Sequence, residues 1–400
     1  MQTPGLLTTL LILLIGVGVA RLSAGQLARW AVPAIVLELG VGFLLGNSVV
    51  PFAAIAPLEG LTQLGVLALF FQVGLEVRSD LLASRRGAIL RVVALSALTP
   101  LLAFWPLRLG FGMAPAPALL TLAVLCATGT GVTLRLLAQR QSLQTPSGRL
   151  LVGVSVLDDL PAIGLLGLAS ASASRSIGSQ AGPPGAALAS LALALAPMAL
   201  GLLLAALSWL WVSRLPSLGC KPQGVLGILL LLISCAWLGE ASGLTSLLGA
   251  LWGGVLLAKL QAPEQPLREV FVVMAEVFLP LYFISIGMRL SVDTLLEPRA
   301  WWLAAFLVVM ALASKLACGL GLSQADRRAG VDPWLLAFGL IPRGLPGLVF
   351  ASTALANGLI DKTQFAALVI MVTVTTVVGL LLLDRRLLQL RQSEQGPSSA

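Results

Sequence analysis

Long apolar runs, separated by short clusters of Gly, Pro and charged residues, recur along the whole chain. They are apolar on every face, the pattern of a helix surrounded by hydrocarbon and not of a helix with one face in water. A helix crosses a bilayer core with about 20 residues. The runs fall at Gly5–Ala20, Trp30–Gly46, Leu61–Val77, Ala88–Leu109, Pro117–Ala138, Gly148–Ser170 and Ala186–Val212 in the first half. They continue at Gly224–Gly239, Leu244–Ala258, Leu267–Met288, Ala300–Leu322, Pro333–Ala356 and Thr363–Leu383. The pattern predicts an all-α integral membrane protein of about 13 transmembrane helices.

Composition agrees: 58% of the 400 residues are apolar and 10% charged, against about 45–50% and about 25% in soluble proteins. So few polar residues cannot cover a water-facing surface, so lipid is the outer solvent. The spans leave only short loops, and function must reside within the bilayer. The absence of histidine excludes His-based zinc sites, Ser-His-Asp and Cys-His nucleophiles and His-ligated haem. Cys126, Cys220, Cys235 and Cys318 are far apart and form no C-x-x-C, which reads as packing and not as a redox or metal set. The net charge of +8 is dispersed in ones and twos; without a basic stripe it marks orientation, not nucleic acid. The first run lacks a basic leader and is followed by Arg21, the pattern of an uncleaved first span.

Basic residues concentrate in cytoplasmic connections. With thirteen spans, seventeen Lys and Arg fall on one side and five, Arg108, Arg175, Arg289, Arg299 and Lys362, on the other. Arg91, Lys315 and Arg343 fall within spans. The asymmetry predicts a cytoplasmic C-terminus and an external N-terminus.

The fifth span is interrupted by Cys126-Ala-Thr-Gly-Thr-Gly131 and the twelfth by Ile341-Pro-Arg-Gly-Leu-Pro-Gly347. Gly and Pro there free backbone N–H and C=O groups, which membrane depth tolerates only where protein or water satisfies them. Seven spans separate the two breaks, so two six-span units flanking the seventh would be inverted relative to each other, an arrangement that marks an alternating-access ion site. The expected organisation is a first inverted repeat over 1–170 with core helices 4–6, a linker and seventh helix over 171–222, a second repeat over 223–384 with core helices 11–13, and a cytoplasmic tail over 385–400. The Ser/Gly/Ala/Pro-rich stretch Ala169–Gly185 reads as a loop, and the polar residues from Gln392 as disordered.

Asp158 and Asp159 lie near the middle of the sixth span. A charge at that depth costs about 2.5–3.5 kcal/mol on insertion scales, so the pair requires a cation or a partner. Successive helix positions differ by about 100°; one carboxylate can be held by a fixed cation while the other faces a cavity. Lys315, inside the eleventh span, is the best intramembrane cation. Glu38 and Glu276 either line a cavity, meet a second subunit or bond helix backbone. Glu76 and Glu240 sit at span ends among headgroups. Arg343, inside the twelfth-span break, is either a structural clamp on freed carbonyls or a functional charge.

Taken together, these residues resemble the monovalent cation:proton antiporters with two neighbouring aspartates, the sodium/proton antiporter type. The resemblance rests on Val32-Pro-Ala-Ile-Val-Leu-Glu-Leu-Gly-Val-Gly-Phe-Leu-Leu-Gly46, Phe70-Phe-Gln-Val-Gly-Leu-Glu76, Thr128-Gly-Thr-Gly131, Leu157-Asp-Asp-Leu160, Leu281-Tyr-Phe-Ile-Ser-Ile-Gly-Met288, Lys315 and Pro342-Arg-Gly344. It implies that Asp159 binds the ion and accepts the proton, that Asp158 pairs with Lys315, and that crossed broken helices supply oxygens around Thr128 and Thr130. Sodium would then sit at Asp159, Asp158 and Thr128. It also implies a homodimer in an inner cell membrane, a core that moves like an elevator, and no cofactor beyond the transported Na+ and H+. Relatives usually carry an acidic residue directly after the Arg-Gly, where this chain has Leu345.

Enzyme readings fit less well. An intramembrane aspartyl protease needs aspartates converging from different helices, and a prenyltransferase D-D-x-x-D motif needs a third carboxylate where this chain has Ala162. The nearer alternative is a K+/H+ exchanger or a gated K+ efflux protein. The latter commonly carries a cytosolic nucleotide-binding domain, for which 400 residues leave no length.

Overall fold

The computed structural model describes residues 6–27, 34–55, 58–76, 86–129, 132–133, 136–137, 140–177, 200, 203–208, 210, 224–242, 246–260 and 265–395. Among them there are helices and no strands. Five helices are long and apolar enough to cross a membrane: Arg86–Gly110, Gly224–Ala241, Glu269–Met288, Pro298–Gly321 and Lys362–Gln392. Shorter apolar helices accompany them. Most of the seventh span, Ala186–Val212, lies outside the described residues.

The helices divide between two compact units, one made of residues 1–78 and 178–292, the other of 79–177 and 293–400. The first contains α1 (Leu6–Leu27), α2 (Ala34–Ser48), α3 (Glu59–Glu76), α7 (Gly224–Ala241), α8 (Ser246–Leu260) and α9 (Gln265–Met288). There α3 packs on α8 and α9, and α9 on α2. Small residues permit such contacts in lipid, where no hydrophobic effect drives helices together. A Cβ on Gly74 would lie 2.0 Å from the Leu251 carbonyl oxygen, and one on Gly254 2.1 Å from that of Phe71. Exposed Leu226 and Leu230, one helical turn apart on α7, belong to a surface suited to acyl chains and not to water.

The second unit contains α4 (Arg86–Leu101), α5 (Pro115–Cys126), α6 (Pro146–Ile177), α10 (Pro298–Cys318), α11 (Pro333–Leu340), α12 (Gly344–Ala356) and α13 (Lys362–Gln395). Prolines occupy the first helical positions of α5, α10 and α11, where the missing N–H is no loss. Asp332 caps α11 by accepting the Leu335 amide at 2.6 Å. α5 packs against α6 and α12, α10 against α4 and α13, and α11 against α6 and α13.

Several segments differ from their expected form. α6 continues past Ser170 to Ile177, because the alternating Ala and Ser there lack strand-forming or helix-breaking residues and Ala has the highest helix propensity. The expected loop therefore begins later, and its remainder from residue 178 lies outside the described residues. The tail expected to be disordered from Gln392 is helical to Gln395. Buried Leu383 and Leu387 anchor this end of α13, and Arg391 donates to the Arg140 carbonyl. Arg91, read as intramembrane, pairs at 2.8 Å with Asp326 in the connection after α10.

Candidate ion-binding site

Two interrupted spans of the second unit cross. α5 stops at Cys126 because Ala127 leaves helical geometry at φ −56° and ψ 141°. α11 stops before Pro342, and α12 begins at Gly344, whose φ is +43°. At the crossing, the Gly129 amide donates to the Pro342 carbonyl at 2.5 Å. A Cβ on Gly129 would lie 2.6 Å from the Gly344 nitrogen, so glycine is required for the approach. Thr133 donates its hydroxyl to the Gly339 carbonyl at 2.8 Å, and the Gly344 amide donates to the Thr376 hydroxyl at 3.3 Å. Side-chain hydroxyls thus take over part of what the broken helices no longer bond.

The freed carbonyls face two buried cations. Lys315 lies in the last turn of α10, yet its side chain is 0% exposed and its Nζ sits 2.8 Å from Asp158 Oδ2, itself 1% exposed. Nζ also donates to the Cys126 carbonyl at 3.2 Å, to the Thr128 hydroxyl at 2.9 Å and to Ser96 Oγ. Thr128 in turn donates to Asp158 Oδ2. The Cys126 carbonyl ends α5, the negative pole of a half-helix, which favours a cation there. Burial leaves Lys315 no route to a headgroup.

Asp158 has a second oxygen, Oδ1, that is buried and, among the described residues, without a hydrogen-bond partner. A buried carboxylate oxygen left bare costs about 1–3 kcal/mol or more. Such a group is a ready seat for a proton or an alkali cation. Pro161, inside α6, has no N–H for the carbonyl four residues before it, that of Leu157, so the helix itself gives up a donor beside the carboxylates.

Arg343 is fully buried. Its Nη1 donates to the Ala127 carbonyl at 3.2 Å, and its Nη2 to the Ala311 carbonyl at 3.2 Å and the Ser314 hydroxyl at 3.3 Å. The guanidinium therefore clamps freed and helical carbonyls, and its Nε is buried without a partner among the described residues.

The second unit thus brings together Asp158, Lys315, Thr128 and Arg343. Asp159 follows Asp158 in α6, but its side chain, like those of Leu345 and Glu76, lies outside the described residues, as does Thr130. In the first unit Glu38 is buried, whereas Glu240 and Glu276 are exposed. The Glu276 carbonyl accepts a bond from Arg21 at 2.6 Å. The sequence reading missed Ser96 and Ser314. Ser96 is a lone polar residue within Val92-Val-Ala-Leu-Ser-Ala-Leu98, and that isolation was its only signal.

Residues 7–384 match the transmembrane sodium/hydrogen exchanger family. The chain belongs to that family. This exchanger is 28% identical over 330 residues to the high-affinity Na+/H+ antiporter NhaS3 of Synechocystis sp., covering 80% of this chain and 69% of that protein. It is 27% identical over 366 residues to the Na+/H+-K+ antiporter GerN of Bacillus cereus, covering 89% and 90%. Its fold matches that of the sodium proton antiporter MjNhaP1 from Methanocaldococcus jannaschii with a TM-score of 0.67 and 17% identity, over 98% of this chain and 99% of that one. The exchanger is a multi-pass membrane transporter, not an enzyme.

Proposed function

We propose that this exchanger is a secondary active antiporter that trades protons for a monovalent cation, Na+ first, at a site made by Asp158, Asp159 and Thr128, with no cofactor beyond the transported ions. The observation that carries the reading is the buried Asp158–Lys315 pair at the crossing of two broken helices, with Asp158 Oδ1 left bare. Asp159 binds either a proton or a dehydrated sodium ion. Asp158 Oδ1 and the Leu157 carbonyl lie on the same turn of α6 and would add oxygens to the cation's shell.

Coupling follows from desolvation. A bare carboxylate carried through an occluded, water-free state retains a penalty of several kcal/mol. The proton-loaded and cation-loaded forms avoid that penalty, so exchange outruns leak. Alternating access, with 79–177 and 293–400 as the moving part, lets one site face each side in turn. We further place the protein in an inner cell membrane as a homodimer, with the C-terminus cytoplasmic.

Sodium-driven proton movement in proteoliposomes tests the assignment. Asp159→Asn is expected to abolish it, and retained exchange would reject Asp159 as the shared site. GerN is named for K+ as well as Na+, which favours K+ as a second cargo; the same flux measured with Na+, Li+ and K+ at clamped potential separates the readings.

A further inference from the structure

We propose that Ser96 is a positioning residue that sets the exchanger's apparent affinity for its cation, by giving Lys315 somewhere to go when Asp158 is taken. The inference rests on the antiport reading above and adds a residue to it. Ser96 lies on α4, is 0% exposed, and accepts a hydrogen bond from Lys315 Nζ across the unit.

An ammonium has three N–H donors. Among the described residues Lys315 has four acceptors around it: Asp158 Oδ2, the Thr128 hydroxyl, the Cys126 carbonyl and Ser96 Oγ. One acceptor is therefore surplus while the ion pair stands. A cation arriving at Asp158 shares a single negative charge with Lys315, and two cations on one carboxylate repel. When Lys315 lets go, three neutral oxygens remain for three donors, and no N–H is stranded in a site without water. Without the Ser96 oxygen only two would remain. Release would then strand a buried donor, so Lys315 would hold Asp158 against the incoming ion.

Ser96 also meets the Cys318 thiol at the end of α10, but among the described residues no bond joins it to Asp158 or to the broken-helix backbone, and its neighbour one turn on, Thr99, bonds the Leu95 and Ser314 carbonyls instead.

The test measures Na+-driven proton flux against Na+ concentration in proteoliposomes, at one pH, together with Na+ binding to the purified protein by calorimetry. Ser96→Ala is expected to raise KM and Kd on the order of tenfold, the effect of one stranded donor, with kcat changing less than KM. Ser96→Thr, which restores the hydroxyl, is expected to return both toward wild type. Ser96→Cys, a weaker acceptor of similar size, is expected to move them in the same direction as Ala and serves if the Ala variant does not reconstitute. Unchanged KM and Kd in the Ala and Cys variants would overturn the proposal, since the cation would then bind Oδ1 with Lys315 still fixed. Equal losses in kcat and kcat/KM, or a Thr variant that behaves like Ala, would overturn it too. A wild-type protein that moves no protons on addition of Na+ would sink the antiport reading itself, a result distinct from the others.

Discussion

Gly129 and Gly344 meet backbone to backbone where the two interrupted spans cross, and a single added carbon on Gly129 would lie 2.6 Å from the Gly344 nitrogen and 2.8 Å from the Arg343 carbonyl carbon. Neither obstacle is a flexible side-chain end. Gly129→Ala must therefore push the crossing apart, at the cost of about 1–3 kcal/mol typical of overpacking, and lengthen the Gly129–Pro342 hydrogen bond. Transport is expected to fall at least tenfold and the melting temperature in detergent to drop. A variant with wild-type flux would show that the crossing tolerates separation.

The Asp158–Lys315 pair gives a second expectation through its burial. Removing one partner of a buried pair leaves the other uncompensated, which costs about 3–5 kcal/mol, whereas replacing both by neutral groups is often close to neutral. Lys315→Met and Asp158→Asn should each lower the melting temperature more than the Asp158→Asn/Lys315→Met double variant. Thermal unfolding of the four proteins in one detergent measures this, and additive losses would mean that the pair contributes nothing as a pair.

How much of this was legible in the sequence depended on whether the signal was local. Breaks at Thr128-Gly-Thr-Gly131 and Pro342-Arg-Gly344 are written in glycine and proline, which weaken a helix by local chemistry, and the structure ends α5 at Cys126 and separates α11 from α12 around Pro342. Lys315 and Asp158 stood out because a charge in a run of apolar residues demands a partner. That Lys315 would find a hydroxyl on α4 was not legible, since Ser96 is 219 positions away and serine is unremarkable in an apolar helix. The choice at Arg343 between clamp and functional charge was open for the same reason: its carbonyl partners belong to α10 and to the end of α5, and carbonyls leave no trace in a sequence. The continuation of α6 and α13 past their expected ends was missed because bland or polar residues do not end a helix that packing still supports.

Arg343→Lys keeps the charge and removes the fork. The guanidinium reaches Ala127, Ala311 and Ser314 from two separate nitrogens, while an ammonium is a compact point donor on a flexible stem. At least one carbonyl would lose its donor, at about 1–3 kcal/mol for a buried group. The substitution is expected to lower the melting temperature and slow transport, and Arg343→Met to do so further. If Lys matches wild type in both, the charge alone suffices and the clamp geometry is immaterial.

At the end of α11, outside the spans, Asp332 links acid sensitivity to the helix that forms one side of the crossing. Burial pushes its carboxyl up, but the Arg386 side-chain hydrogen bond, the Leu335 amide, the Arg386 charge and the Trp334 amide outweigh it, and the net direction is below the ordinary carboxylate value. Arg386 reaches both oxygens, at 3.2 and 2.6 Å. A carboxyl whose folded value is depressed gives stability that is fully present above its unfolded value of about 3.9 and is lost as pH falls through the folded value. Asp332→Asn retains much of the cap but loses the ion pair. The wild type is therefore expected to exceed the Asn variant in melting temperature at pH 6–7, with the gap shrinking as pH drops below about 4. Melting curves of both proteins from pH 7 to pH 3 measure the gap, and a difference that stays constant across that range would show that Asp332 acts as a neutral cap and not as an anion.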